Sequence, residues 1–349
     1  MNGSKIYIRT DGNNKIATGH VMRCLAIAIK LREKGTDVTF VLSDEEMVSV
    51  IQNYGFIVKN LNTEWNSLNN ELEDFKRDIV VNHINKVLVD SYAITKKYME
   101  ELSSCVEVIY IDDLQKDVYS VNMLISYSIR MDNTFYEREY KKTRLLLGGE
   151  YVPLRVEFEN IVPVIRTRVE DVLITLGGTN PDNIAETILN KLLHCDKYKN
   201  IRFHVVIGKF WGKNLELVKI INENSNVYIY RDVQKMSNLI QQCDVAISAC
   251  GTTLYELCVC GVPGICIEIS ENQQGSDVWE KRGLMYYAGN VSQDPVKCIQ
   301  RVISGLDKYI HSYTIRKERA FKMHQFVDGK GAIRIAEKIM EEKSDRIYE

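Results

Sequence analysis

The chain has 349 residues, of which 45% are hydrophobic, with 45 basic side chains against 47 acidic ones and a formal net charge of −2. That balance gives no electrostatic reason to invoke nucleic acid or a membrane surface, and no apolar run is long enough to span a bilayer. The length exceeds one ordinary core, so two domains are expected.

The first segment, MNGSKIYIRT, enters a strand at once and lacks the apolar core of a signal peptide, so a cytoplasmic protein is expected. In the first half the strand-like runs are KIYIR, DVTFVLS, GFIVKNL, KVLVDSY, VEVIYID and NMLISYS. Helix-like runs separate them, and that alternation argues for a parallel sheet. After the first strand, Val21, Cys24, Leu25 and Ala28 recur at helical spacing, and Gly35 stops the helix. Residues 144 to 160, RLLLGGEYVPLRVEFEN, break the alternation, and 161 to 168 read as a linker containing Pro163. A second series follows: DVLITLGG, RFHVVIG, VYIYRDV, VAISAC, GICIEIS and MYYAG. The chain therefore reads as α/β with two Rossmann-like domains, 1–160 and 161–349. The charged helical tail from Ser312 either caps the second domain or crosses back to the first.

The opening stretch RTDGNNKIATGHVMRCL carries the most chemistry. Its strand ends in Arg9, Thr10 and Asp11, and Gly19-His20 opens the helix, with Arg23 three residues on. That places a histidine, an arginine and a carboxylate at the carboxyl edge of the first strand, where open α/β sheets bind ligands. A helix N-terminus disfavours an imidazolium, and a neutral imidazole is what a general base requires. His20 is the expected base, Asp11 its orienter, and Arg23 a partner for Asp11 or for phosphate. Asp90-Ser91-Tyr92 and Asp112-Asp113 also end strands and are candidates to line the same cleft, although the paired aspartates read equally well as a solvated turn. His204, inside a strand, reads as a core or edge residue.

In the second domain, Gly177-Gly178-Thr179-Asn180-Pro181 joins a strand to a helix. Ser248-Ala249-Cys250-Gly251-Thr252-Thr253 does the same. Glycines let a ligand approach the backbone, and a helix start offers free N–H groups to an anion. Ordinary turns with N-capping hydroxyls are the simpler reading of each, but two in one domain favour a phosphate site. Glu256, one turn further, is placed to reach a ribose diol. Asn272 and Gln273 follow a strand and suit a sugar or base. Neither GxGxxG nor a Walker loop is present, and no two aspartates stand two apart. No cofactor or metal is therefore expected. The nine cysteines form no CxxC pair and read as buried thiols.

At GHVMRCLAIA the chain resembles the hydrolases of UDP-2,4-diacetamido-2,4,6-trideoxy-β-L-altropyranose in pseudaminic acid biosynthesis, and related spore-coat and surface-polysaccharide proteins. The match recurs in order at VDSYAI, YIDDL, LLLGGEYVPLRVEF, LGGTNPDN, SACGTTLYELC, ENQQ and VDGKGAIRIA. The resemblance implies a GT-B-type fold, UDP mainly on the second domain and the sugar facing the first. It implies that His20 activates water, that Glu256 meets the ribose, and that Asn272 and Gln273 lie near the sugar or diphosphate. Gly19 and Tyr92 join the substrate-binding set with Gly178, Thr179, Asn180, Gly251, Thr252 and Thr253. The sequence departs from the family at Ser91, where a histidine usually precedes the tyrosine. It departs again at Ser126-Tyr127, where asparagines are common, and at Gly148-Gly149 in place of Gly-Pro. A glycosyltransferase, a catalytically idle nucleotide-sugar binder and a non-hydrolysing epimerase stand as alternatives.

Overall fold

The computed structural model describes residues 4–13, 16, 18–178, 180–208, 211 and 215–341. The chain divides into two compact units, Met1–Val156 with Lys330–Glu349, and Glu157–Gly329.

The first unit holds a seven-stranded parallel sheet in the order β3-β2-β1-β4-β5-β6-β7. The strands are β1 Lys5–Thr10, β2 Asp37–Leu42, β3 Ile57–Asn60, β4 Lys86–Asp90, β5 Glu107–Ile111, β6 Met123–Ser126 and β7 Arg144–Leu147. The last was not expected as a strand. It pairs in parallel with β6 at the sheet edge, and four residues before a Gly-Gly turn give too short a pattern to read. Helices cover both faces, which is why the central strands are continuous apolar runs. On one face Tyr7, Val41, Val87, Val89 and Tyr110 pack with Phe75, Tyr98 and Leu102. The other face takes the helix Gly19–Glu33, which buries Val21, Cys24, Leu25, Ala28 and Leu31. Burying each large aliphatic side chain stabilises by about 1.5–3 kcal/mol. The helix ends where Lys30 and Arg32 complement its dipole and Gly35 turns left-handed at φ +83°.

The tail helix Gly331–Met340 belongs to this first unit and packs beside Gly19–Glu33. It buries Ile335, Ala336 and Ile339. Glu337 pairs with Lys34 at 3.1 Å, and Arg144 donates to the Lys338 carbonyl at 2.8 Å.

The second unit holds a six-stranded parallel sheet in the order β10-β9-β8-β11-β12-β13. Its strands are β8 Asp171–Thr175, β9 Arg202–Ile207, β10 Val227–Arg231, β11 Val245–Ala249, β12 Gly264–Glu268 and β13 Tyr286–Asn290. The nine cysteines are all free thiols, and all but Cys105 and Cys195 are buried. His204 is buried between Asp171, 2.8 Å from its Nε2, and the Tyr230 hydroxyl. Among the described residues no helix is long and apolar enough to cross a membrane.

Candidate active site

In the first sheet the chain runs from β1 out to β2 and β3, then returns to place β4 on the other side of β1. The connections after β1 and β4 leave in opposite directions, which opens a crevice at their carboxyl ends. Thr10 and Asp90 are register partners there, and His20 stands in the first turn of the helix that follows β1.

His20 Nδ1 lies 2.6 Å from Asp90 Oδ1. Arg23 grips the same carboxylate with both arms of its fork, Nε to Oδ2 at 2.6 Å and Nη2 to Oδ1 at 2.5 Å. The Cys24 thiol approaches Oδ2 at 3.4 Å. Residues 20, 23 and 24 share a helix face, so one carboxylate at a strand end gathers all three. Burial alone pushes the Asp90 carboxyl up. The Arg23 guanidinium and His20 outweigh it and hold the group well below the usual carboxylate range. An ionised carboxylate only accepts, so the proton of the His20–Asp90 contact sits on Nδ1. Arg23 Nη2, 3.0 Å from Nδ1, is then a close neighbour and not its donor. Nε2 has no partner among the described residues, and in the neutral ring it carries the lone pair. A carboxylate that fixes Nδ1–H and frees Nε2 is the arrangement a histidine base needs.

Asp11 does not orient His20, contrary to the expectation from its position. Its Oδ1 accepts the Ser43 backbone N–H at 2.8 Å and the Ser43 hydroxyl at 2.6 Å, and its Oδ2 accepts from Arg9 at 2.6 Å. Arg9 is fully buried and also binds Glu71 with two bonds, at 2.6 and 2.9 Å. The cause is strand alternation. Tyr7 and Arg9 face Phe75 and Glu71, and Asp11 continues that side. Thr10 and Asp90 face the helix that carries His20. Burial raises the Asp11 carboxyl, with Arg9 and Ser43 opposing the rise. Arg23 likewise does not pair with Asp11. Its Nη1 binds Asp113 at 2.8 Å and Tyr127 at 2.7 Å, so with the two bonds to Asp90 four of its five N–H groups are spent on the protein.

Tyr92 meets His20 edge to face, with centroids 4.3 Å apart and planes at 85°. It is 39% exposed, so the aromatic wall beside the imidazole is open to a ligand. Gly19 is the first residue of the helix.

The second sheet repeats the topology. The strand that reverses direction is β11, which returns beside β8, so the turns after these two strands share the switch point. Gly177 takes φ +78°, and the turn it makes with Gly178 presses on the end of β9. A Cβ at Gly208 would stand 2.0 Å from the Gly177 carbonyl oxygen, so no side chain fits there. A Cβ at Gly251 would meet nothing within 4 Å, so that turn is open on its outer side. Thr252 precedes the helix Thr253–Cys260 without a side-chain capping bond. Its hydroxyl is therefore not spent as an N-cap, which the simpler reading of this turn required. Glu256 is half-buried one turn in.

Other second-unit candidates are engaged locally. Asn180 donates to Glu186 at 2.7 Å and accepts from the Ala185 N–H at 3.1 Å, so its amide secures its own helix start. Gln273 accepts from the Ile269 N–H at 2.9 Å, and Asn272 accepts from the Ser270 hydroxyl at 2.7 Å. These bonds fold the loop after β12 onto itself beside the other two turns. Glu268, buried at the end of β12, binds the Ser276 N–H at 2.8 Å and fixes the loop's far end. Thr179 lies outside the described residues. Among the described residues no group of three or more His, Cys, Asp or Glu is arranged to hold a metal ion.

Two parallel-sheet units, each with a reversal in strand order, are the two Rossmann-like domains of a GT-B-type fold. Solved structures agree. MurG of Acinetobacter baumannii superposes with a TM-score of 0.69 at 11% identity, covering 96% of this chain and 99% of that one. UDP-GlcNAc 2-epimerase of Neisseria meningitidis gives 0.66 at 12% identity, covering 97% and 100%. No family model matches the chain.

The chain does have homologues with named functions. It is 29% identical over 190 residues to a Helicobacter pylori protein named pseudaminic acid cytidylyltransferase and UDP-2,4-diacetamido-2,4,6-trideoxy-β-L-altropyranose hydrolase, covering 54% of this chain. It is 23% identical to the spore coat polysaccharide biosynthesis protein SpsG of Bacillus subtilis, covering 95% of this chain and 96% of that protein. An uncharacterised protein of Methanocaldococcus jannaschii is 27% identical over 77% of the chain. The matches span 57% of the Methanocaldococcus protein and 34% of the Helicobacter protein, so the chain corresponds to only part of each.

Proposed function

We propose that the protein hydrolyses a UDP-linked deoxy-amino sugar and releases the free sugar for a surface glycan. The observation that carries this reading is the His20–Asp90 dyad, with a free Nε2 at the switch point of the first unit. The name of the Helicobacter homologue supports the substrate class, and that of the Bacillus homologue supports a role in polysaccharide biosynthesis. In this reaction His20 Nε2 takes a proton from water as the water oxygen bonds to the anomeric carbon. The bond from that carbon to the diphosphate oxygen breaks, and its electron pair leaves with UDP. UDP is a weak base and needs charge stabilisation more than a proton. Gly178, Gly251, Thr252 and Thr253, together with the start of the helix Thr253–Cys260, supply it. Thr179 belongs to the same set by sequence, and Glu256 takes the ribose. Asn272 and Gln273 shape the loop beside them.

The competing reading is a glycosyltransferase, in which an acceptor hydroxyl replaces water. With UDP-2,4-diacetamido-2,4,6-trideoxyhexose and no acceptor, UDP and free sugar are expected in equal amounts. UDP release that begins only when an acceptor alcohol is added would replace the hydrolase with the transferase.

A further inference from the structure

The two aspartates after β5 have separate jobs. Asp112 is buried, and its Oδ1 accepts the N–H groups of Leu114 and Gln115, both at 3.0 Å, while its Oδ2 accepts from Tyr136 at 2.9 Å. It builds the turn. Asp113 points to the His20 cluster instead. Its Oδ2 accepts from Arg23 Nη1 at 2.8 Å and from the Tyr92 hydroxyl at 3.3 Å. Its Oδ1 has no partner among the described residues, and the side chain keeps 17% exposure.

Among the described residues, the charges around His20 do not balance. Two carboxylates, Asp90 and Asp113, face one guanidinium, Arg23, which binds both of them and Tyr127. With His20 neutral, as a base must be, these described side chains together carry one excess negative charge. That excess favours positive charge at a carbon losing its leaving group. It also opposes any anion placed against it.

We propose that Asp113 selects the glycosyl group, an inference that rests on the nucleotide-sugar reading above. Oδ1 accepts a hydrogen bond from an N–H or O–H of the sugar. The unbalanced charge excludes sugars that carry a carboxylate. The substrate class is thus a glycosyl group with amide, amine or hydroxyl donors and no acid.

Binding without turnover tests this. Wild type, Asp113→Asn and Asp113→Glu are titrated calorimetrically with UDP, with a UDP-N-acetylhexosamine and with a UDP-hexuronic acid. Thermal melts check that each variant is folded. Wild type is expected to favour the N-acetylhexosamine over the uronic acid by about ten-fold or more, the scale of one partly screened like-charge contact. Asp113→Asn is expected to reduce that ratio to within about three-fold and leave UDP affinity unchanged, because the loss is one charge facing the sugar. Asp113→Glu keeps the charge and is expected to keep the preference. A folded Asp113→Asn that retains the wild-type ratio overturns the proposal, as does an equal loss of affinity for UDP itself. If the wild-type preference is present and falls in Asp113→Asn as expected, but no UDP-sugar is turned over without an acceptor, the hydrolase reading alone fails. Failure of wild type to bind either UDP-sugar would sink both.

Discussion

His20→Ala is expected to slow UDP release by about 10²–10⁴-fold, the range that a positioned general base supplies. UDP affinity is expected to stay within about three-fold, since a lost base acts on the barrier and not on nucleotide binding. The substitution is clean because Asp90 keeps both arms of the Arg23 fork when the imidazole is removed. No buried charge is left unpaired, so the fold should persist. Single-turnover UDP release and calorimetric titration with UDP separate the two quantities. Wild-type turnover in the alanine variant would remove His20 from the chemistry.

Asp90→Asn is expected to cost both activity and stability. Asp90 is almost completely buried and holds the Arg23 guanidinium bidentate. Removing one member of a buried ion pair typically costs about 3–5 kcal/mol. Asp113 still binds Arg23, which places the expected loss at the lower end of that range. The amide also accepts either imidazole tautomer, so His20 no longer keeps its free lone pair on Nε2. A loss of about 10²–10⁴-fold in UDP release follows, similar to losing the base itself. By contrast, Asp11 and Ser43 tie the ends of β1 and β2 together and do not touch the imidazole.

The pH dependence has a definite sign. The folded Asp90 carboxyl lies below its unfolded value of about 3.9. Its contribution is therefore full above that pH and declines as pH falls from there toward the folded value. Urea unfolding at pH 7 and at pH 3 measures this. The stability gap between wild type and Asp90→Asn should be wide at pH 7 and narrower at pH 3. A gap that stays constant or widens on acidification would contradict the ion-pair assignment.

Much of this architecture was legible because parallel sheets write themselves as short apolar runs between amphipathic helices. The motif around His20 was legible because strand, turn and helix adjoin in sequence. The histidine's partner was not. Four carboxylates, Asp11, Asp90, Asp112 and Asp113, end strands of the first sheet, and proximity in sequence favours Asp11. Which one reaches the imidazole depends on β4 being inserted beside β1, a property of topology. One local signal was available. Residues of even number along β1 face the helix that carries His20, and Asp11 falls on the odd side with Tyr7 and Arg9. In the second unit the glycine turns were visible as sequence, whereas the local bonding of Asn180, Asn272 and Gln273 depends on loop conformation.

The central claim is that His20 activates water against the anomeric carbon. Turnover of UDP-2,4-diacetamido-2,4,6-trideoxyhexose in oxygen-18 water, read by mass spectrometry of both products, tests it directly. One labelled oxygen at C1 of the free sugar and none in UDP is the result this account predicts. Label in the phosphate of UDP would mean that water attacks phosphorus, and would contradict it.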